Sequence, residues 1–298
     1  MRFARIVFTA AGMGGFFVAL VAGAAMFLAG GEGARSGMWA HETPQAFLGF
    51  DSNEYPGDAA LAELRRTFAF SGYWLNSPPG AKQNTWAGKR ETMLKNGFGF
   101  LVLFNGRTER QLEAPANPAA LGEGDAESAV KSARREGFPV NTVIFLDQEE
   151  GGRMTEVQIA YISKWVERVS GANFRAGIYC SGMPAKEAKG ESVITADDIR
   201  QHLGSTPVSF FVYDDACPPS PGCVCRANPP PPSASGVAYA DVWQFAQSPR
   251  RRNFTRACSA TYSADGNCYP PREEGVGLIL LDLDSARSSD PSSGGVAH

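Results

Sequence analysis

The stretch NTVIFLDQEEGG, Asn141 to Gly152, decides the fold. An uninterrupted apolar run, Val143 to Leu146, leads straight into Asp147, Glu149 and Glu150, and two glycines follow. A run of that length, bounded by turn residues, reads as a strand buried on both faces, as strands of a parallel sheet are. Just downstream, Thr155 to Ser170 carries apolar residues at helical spacing, and Thr155 with Glu156 and Gln158 makes a capping-box start. Strand, acidic corner and helix make one βα unit.

The same unit recurs on both sides. Upstream, Gln45 to Asp51 (QAFLGFD), Phe68 to Leu75 and Phe98 to Phe104 (FGFLVLF) read as three strands. Helices are expected over Asp58 to Thr67, Trp86 to Asn96 and Gly124 to Glu136. Downstream, Arg175 to Cys180 is a fifth strand, Thr195 to Leu203 a helix capped by Thr195, and Val208 to Tyr213 a sixth strand. The rhythm then changes. The Pro- and Cys-rich loop Ala216 to Ser235 cannot be helix or inner strand. Asp241 to Ala246 (DVWQFA) and Gly277 to Asp282 (GLILLD) complete eight strands. Eight buried runs, mostly alternating with helices, predict an α/β barrel of mostly parallel strands. Periodicity alone leaves a doubly wound open sheet as the alternative.

The ends of the chain differ from this middle. Arg2 and Arg5 precede an uncharged stretch, Ile6 to Gly31, as in a signal peptide. The stretch exceeds the ~18 residues of a membrane span, so an uncleaved anchor is the other reading. A buried core helix is a poor alternative, because six glycines between Gly12 and Gly31 would weaken it. The expected organisation is a signal peptide or membrane anchor over 1–31, a linker over 32–42, the barrel over 43–287 and a disordered tail over 288–298. Export agrees with six cysteines, all beyond the targeting segment: Cys180, Cys217, Cys223, Cys225, Cys258 and Cys268. Disulfides are expected over a zinc site, since no histidine lies near Cys217, Cys223 and Cys225 and no C-x-x-C motif occurs. The expected pairs are Cys258–Cys268, and Cys180 with one of the other three.

Composition narrows the function. The chain has 298 residues, 43% hydrophobic and 20% charged, with a net charge of -3. No basic stripe is present, which sets nucleic-acid binding aside. No G-x-S-x-G elbow, H-E-x-x-H motif, P-loop or dinucleotide fingerprint occurs in the globular part, and three histidines leave little for a catalytic triad. No cofactor and no metal are expected.

Acids do occur where a barrel carries its chemistry, at the C-terminal ends of strands. Asp51 ends the first strand, Asp147 and Glu149 the fourth, Asp214 and Asp215 the sixth, and Asp282 and Asp284 the eighth. Strand alternation points Asp147 and Glu149 the same way and Glu150 away, about 6.6 Å apart along the backbone. Converging carboxylates raise one another's proton affinity, so that one can serve as acid while another stays ionised. Glycosidic cleavage needs that division of labour. Asp51 before Ser52 and Asn53 could instead cap a turn, and the acidic corner could be a solvated loop. Tyr55, Trp74, Tyr179, Tyr213 and Trp243 lie near the same ends and suit stacking on sugar faces, although any one alone fits core packing.

These pieces resemble a known group. Gly49-Phe50-Asp51 with Tyr55-Pro56-Gly57, Gly72 to Leu75, Thr142 to Asp147 leading to Glu149, Gly177-Ile178-Tyr179, Trp243-Gln244 and Leu281 to Asp284 occur in an order similar to that of the bacterial and fungal glycoside-hydrolase-like domain of unknown function. That domain is itself similar to family 25 lysozymes, or muramidases. The resemblance implies an irregular TIM-type (β/α)8 barrel whose last strands lack regular helices. It implies Glu149 as general acid, with Asp51, Asp147 and Asp282 orienting a substrate group or water, and peptidoglycan-type glycan as substrate. Tyr55, Trp74, Tyr179, Asp214 and Trp243 are the expected substrate-binding residues. The Cys- and Pro-rich loops depart from the muramidases and would reshape the groove. The expectation is an exported monomer that hydrolyses such a glycan. A non-catalytic carbohydrate-binding envelope protein and a membrane-anchored interaction module using the Pro-rich loop are the alternatives.

Overall fold

The computed structural model describes residues 46–113, 117–187, 190–214, 229–247 and 281–295. Residues 1–42, where a targeting segment or anchor and a linker are expected, and five of the six cysteines lie outside them. Among the described residues no helix is long and apolar enough to cross a membrane.

Eight strands close into a barrel. In chain order the elements begin with β1 (Phe47–Asp51), α1 (Leu61–Arg65), β2 (Phe70–Trp74), α2 (Arg90–Lys95) and β3 (Gly99–Asn105). Next come α3 (Glu109–Glu113), α4 (Pro118–Arg135), β4 (Val143–Asp147), α5 (Glu156–Gly171) and β5 (Arg175–Ser181). A small hairpin, β6 (Pro184–Lys186) and β7 (Ser192–Ile194), precedes α6 (Thr195–Leu203), β8 (Ser209–Tyr213), β9 (Val242–Ala246) and β10 (Asp282–Ala286). Around the barrel the order is β1-β10-β9-β8-β5-β4-β3-β2. Every pairing is parallel except those of β10, which runs antiparallel to both β9 and β1. The irregular TIM-type barrel expected from the sequence is therefore present, with one strand reversed.

The reversal corrects the eighth strand. It was expected at 277–282, with Asp282 and Asp284 at its exit; it spans Asp282–Ala286, and Asp282 stands at its entrance. Running antiparallel, β10 starts where β1 ends, so Asp282 pairs with Asp51 at the same rim. An apolar run is no guide to this strand, because three of the five residues of DLDSA are polar yet all five are buried.

Strand alternation divides the core into two layers. The barrel interior takes Phe145 and Phe211, with ring centroids 6.1 Å apart, and small residues make room for large ones. A Cβ on Gly72 would lie 2.6 Å from the Cβ of Asp51, so β2 can approach β1 there only with glycine. The outer layer sits under the helices. Phe50 meets Phe68 edge-on at 5.0 Å, and Ile144 of β4 and Trp165 and Val166 of α5 are fully or almost fully buried.

Local signals hold in part. The start of α5 is as expected: Gln158 Oε1 accepts from Thr155 N at 2.9 Å. Thr195 does not cap α6. Its hydroxyl instead accepts from Gly152 N at 2.8 Å and donates to Gly152 O at 2.9 Å, tying α6 to the acidic corner. Helix α4 starts six residues earlier than expected, where Asn117 Oδ1 accepts from Ala120 N and Pro118 opens the first turn.

Two further expectations are corrected. Cys180 is a free, fully buried thiol. It lies on the face of β5 opposite Tyr179, where α6 packs, and its proton affinity is raised by burial and then by Asp197. The end of the chain, expected to be disordered from Ser288, closes the bottom of the barrel up to Gly295. Ser292 N donates to Phe100 O, Val143 N to Ser292 O and Val102 N to Ser292 Oγ, each at 2.8 Å. Asp290 Oδ1 accepts from Phe100 N at 2.9 Å. Polar composition marked this segment as unable to build a core; it contributes hydrogen bonds instead, filling the edge where β3 and β4 do not yet pair.

Candidate active site

The rim of the barrel gathers acids from three strands. Asp51 ends β1, Asp147 ends β4 with Glu149 two residues on, and Asp282 opens β10. One pocket is lined by Asp51, Asn53, Trp74, Glu149, Tyr179 and Asp282, together with Leu103, Phe211 and Gln244. Asp147 lines an adjoining groove with Asn105, Gly106, Arg107 and Glu150, and Glu149 belongs to both. Asp51 and Asp147 are 5% and 4% exposed, whereas Glu149 stands exposed at the mouth. Glu149 thus joins Asp51 and Asp282 in one pocket and Asp147 in the groove beside it, with the aspartates at greater depth.

Neutral groups hold the acids in place. Gln244 of β9 donates from Nε2 to Asp51 Oδ2 at 2.8 Å and accepts at Oε1 from the Tyr179 hydroxyl at 2.9 Å. The Tyr179 phenol is pushed well above its usual range, first by burial and then by Asp51, Asp147, Glu149 and Asp282, so it stays a donor. That fixes which end of the Gln244 amide faces Asp51. The backbone around Asp51 is pinned by two indoles, Trp74 and Trp86, which both donate to Ser52 O at 3.1 Å. The Tyr213 hydroxyl donates to Glu149 O at 2.8 Å and anchors the corner that carries Glu149. Glu150 turns away: its Oε2 accepts from Glu109 N at 2.6 Å and Gln158 Nε2 at 2.8 Å.

Arg107 enters the groove from the end of β3. Its Nε and Nη2 donate to Asp125 Oδ2 and Oδ1 of α4 at 2.6 and 2.9 Å, and the Tyr161 hydroxyl donates to the same carboxylate at 2.9 Å. The bidentate pair fixes the guanidinium and balances its charge. Among the described residues no set of His, Cys, Asp or Glu side chains is arranged to hold a metal ion.

The other expected binding residues divide. Trp74 and Tyr179 line the pocket. Tyr55 lies outside it, with its hydroxyl on Asp58 Oδ1 at 2.7 Å and its ring edge-on to Trp86. Trp243 shares the outward face of β9 with Phe245, and its indole donates to Asp214 O at 2.9 Å. Asp214 contributes its backbone, donating from N to Gln244 O at 3.2 Å, while burial raises its carboxyl above the usual range.

Two residues of the site, Gln244 and Asp284, are not among the expected catalytic or binding residues, although the sequence places Asp284 with the acids at strand ends. Alternation could have found the first, since Trp243 and Gln244 must face opposite ways. Asp284 is fully buried one step deeper than Asp282, paired in register with Gly49 and Gln244. Its carboxyl is held well above the usual range, first by burial, then by the charges of Asp51 and Asp282 and by a hydrogen bond with Asp51.

Residues 70–206, from β2 through α6, match the model of the Rv2525c-like, glycoside hydrolase-like domain. The match includes Trp74, Asp147, Glu149 and Tyr179, and ends before Gln244 and Asp282. No curated protein matches the chain. Among solved structures it is similar to an uncharacterized B. stearothermophilus protein, at 20% identity over 80% of this chain and 95% of that one, with a TM-score of 0.49. It is also similar to the Tat-secreted protein Rv2525c of Mycobacterium tuberculosis, at 12% identity over 82% and 96%, with a TM-score of 0.47. The modular autolysin LytC of Streptococcus pneumoniae gives 11% identity over 80% of this chain and 46% of its own, with a TM-score of 0.45.

Proposed function

From a chain whose residues 70–206 match a glycoside hydrolase-like domain, we propose an exported, monomeric hydrolase of cell-wall glycan, of the peptidoglycan or amino-sugar class. The observation that carries this reading is the shared pocket of Glu149, Asp51 and Asp282, with Trp74 and Tyr179 in its wall. Cleavage of a glycosidic bond takes a carboxylic acid that protonates the leaving oxygen and a carboxylate that activates water or stabilises the positive charge on the sugar. Glu149, exposed at the mouth, is the group that can reach a bond lying across the rim, and it is the general acid. Asp51 and Asp282 lie deeper and act on the ring side, orienting water or a substituent. Asp147, in the adjoining groove, holds the next part of the glycan. Export is supported by Arg2, Arg5 and the uncharged stretch after them.

The test is release of reducing ends from peptidoglycan and chitin-type oligomers, with products identified by mass. The wild type should release them, and Glu149→Gln should lower the rate by about 10²–10⁴-fold, the usual contribution of a general acid. Because Glu149 is exposed, that variant should unfold at the wild-type temperature. A wild type that binds one glycan of a broad panel and cleaves none would replace this reading with a non-catalytic carbohydrate-binding protein.

A further inference from the structure

Beneath Asp51 lies a second carboxyl that the proposed reaction does not use. Asp284 is 0% exposed, and neither of its oxygens has a hydrogen-bond donor among the described residues. It sits two positions along β10 from Asp282, on the same inward face, opposite Gly49 of β1 and Gln244 of β9. Gly49 offers no side chain, and the Gln244 amide is already committed to Asp51 and Tyr179. The polar side chain left to meet Asp284 is Asp51 itself, which stands on the same inward face of β1 two residues along from Gly49, and whose nearness helps to hold the Asp284 carboxyl above its usual range. Two carboxylates in contact repel and have no hydrogen to share, so the contact is favourable only with a proton between them.

We propose that Asp284 is a positioning residue for Asp51, holding one proton against that carboxylate from below and so fixing its orientation and limiting the pair to one negative charge. Asp51 is then gripped from two directions, by the Gln244 amide on Oδ2 and by the Asp284 acid beneath. The charged and titratable groups around the pair are Asp282 on the same strand and Tyr179, Asp147 and Glu149 across the barrel. Burial and the Asp51 and Asp282 charges all favour the protonated form of Asp284. The benefit to glycosidic cleavage, a carboxylate held ready under the sugar ring, rests on the function proposed above. The shared proton does not.

Carboxyl-carbon NMR of the full chain, titrated with pH, tests the proton directly. In the wild type, one of the two carboxyls should remain protonated at neutral pH. Asp284→Asn keeps a donor beneath Asp51 and should leave the first titration step of Asp51 near its wild-type midpoint. Asp284→Leu removes the donor and should raise that midpoint by about one unit or more. If both carboxyls are ionised at neutral pH, and Asp284→Asn lowers the Asp51 midpoint by about one unit through loss of a like charge, the proposal is overturned. Should the Leu variant fail to fold, the wild-type and Asn titrations still decide. If the wild type cleaves glycan, kcat should fall further in Asp284→Leu than in Asp284→Asn at unchanged KM. An inactive wild type with the shared proton present would overturn the function and leave this inference standing.

Discussion

At the scale of single residues, Asp284 links the site to stability. Its native proton affinity exceeds that of an unfolded aspartate, so above about pH 4 the native state holds a proton that the unfolded chain releases. The stability it contributes is complete below that pH and is lost as pH rises toward the native titration, by up to about 1.4 kcal/mol per pH unit. Asp284→Asn has no such proton. Its unfolding free energy relative to wild type should therefore improve steadily between about pH 5 and pH 7, as read from urea midpoints. A difference that stays constant over that range would mean that Asp284 is ionised in the native protein. A buried acid kept for its position, at a cost in stability, is the kind of local conflict expected at a functional site.

At the scale of elements, α4 and α5 show how packing overrides propensity. Gly122 of α4 is buried, and a Cβ there would strike the carbonyl oxygen of Tyr161 on α5. Glycine lets the two helices approach closely enough for the Tyr161 hydroxyl to reach Asp125, which in turn holds Arg107 at the groove. Gly124, one step along the same helix, has open space around it. Propensity alone favours alanine at both positions by about 0.5–1 kcal/mol. Gly124→Ala should gain that amount. Gly122→Ala adds overpacking against backbone, which costs about 1–3 kcal/mol, so it should be destabilised by about 1–2 kcal/mol. Thermal or urea unfolding of the pair checks the opposite signs; a stabilised Gly122→Ala would refute the close approach.

At the scale of the whole molecule, the barrel is completed by its last residues. The described part belongs to one unit, Glu42–His298, and its two ends meet where β10 pairs with β1. Ser288 to Gly295 then crosses the bottom of β3 and β4 and is clamped by Arg90, whose Nη2 donates to Gly294 O and Gly295 O at 2.7 and 2.9 Å. Truncation after Arg287 removes these bonds together and leaves Phe100, Val102 and Val143 amides without their acceptors. At about 1 kcal/mol for each bond lost, it should cost at least about 3 kcal/mol, with a matching drop in the unfolding temperature. Unchanged unfolding after truncation would show the segment to be dispensable.

The amino-acid sequence by itself determined the strand–helix alternation, since continuous apolar runs such as Val143–Leu146 have to be buried on both faces. It also located the acids Asp51, Asp147 and Glu149, because a strand buried on both sides that runs straight into carboxylates must end at a rim. What only the tertiary structure decided depends on strand direction and register. The reversal of β10 puts Asp282 at that strand's entrance, paired with Asp51, and sends Asp284 beneath Asp51 rather than to the rim, and no periodicity encodes the direction of a five-residue strand. The closure of the barrel selects Gln244 rather than Trp243 for the interior and sends Tyr55 and Cys180 to other surroundings. Residue types mark where chemistry can occur; which of them meet is set by long-range pairing, which lies outside any local window of sequence.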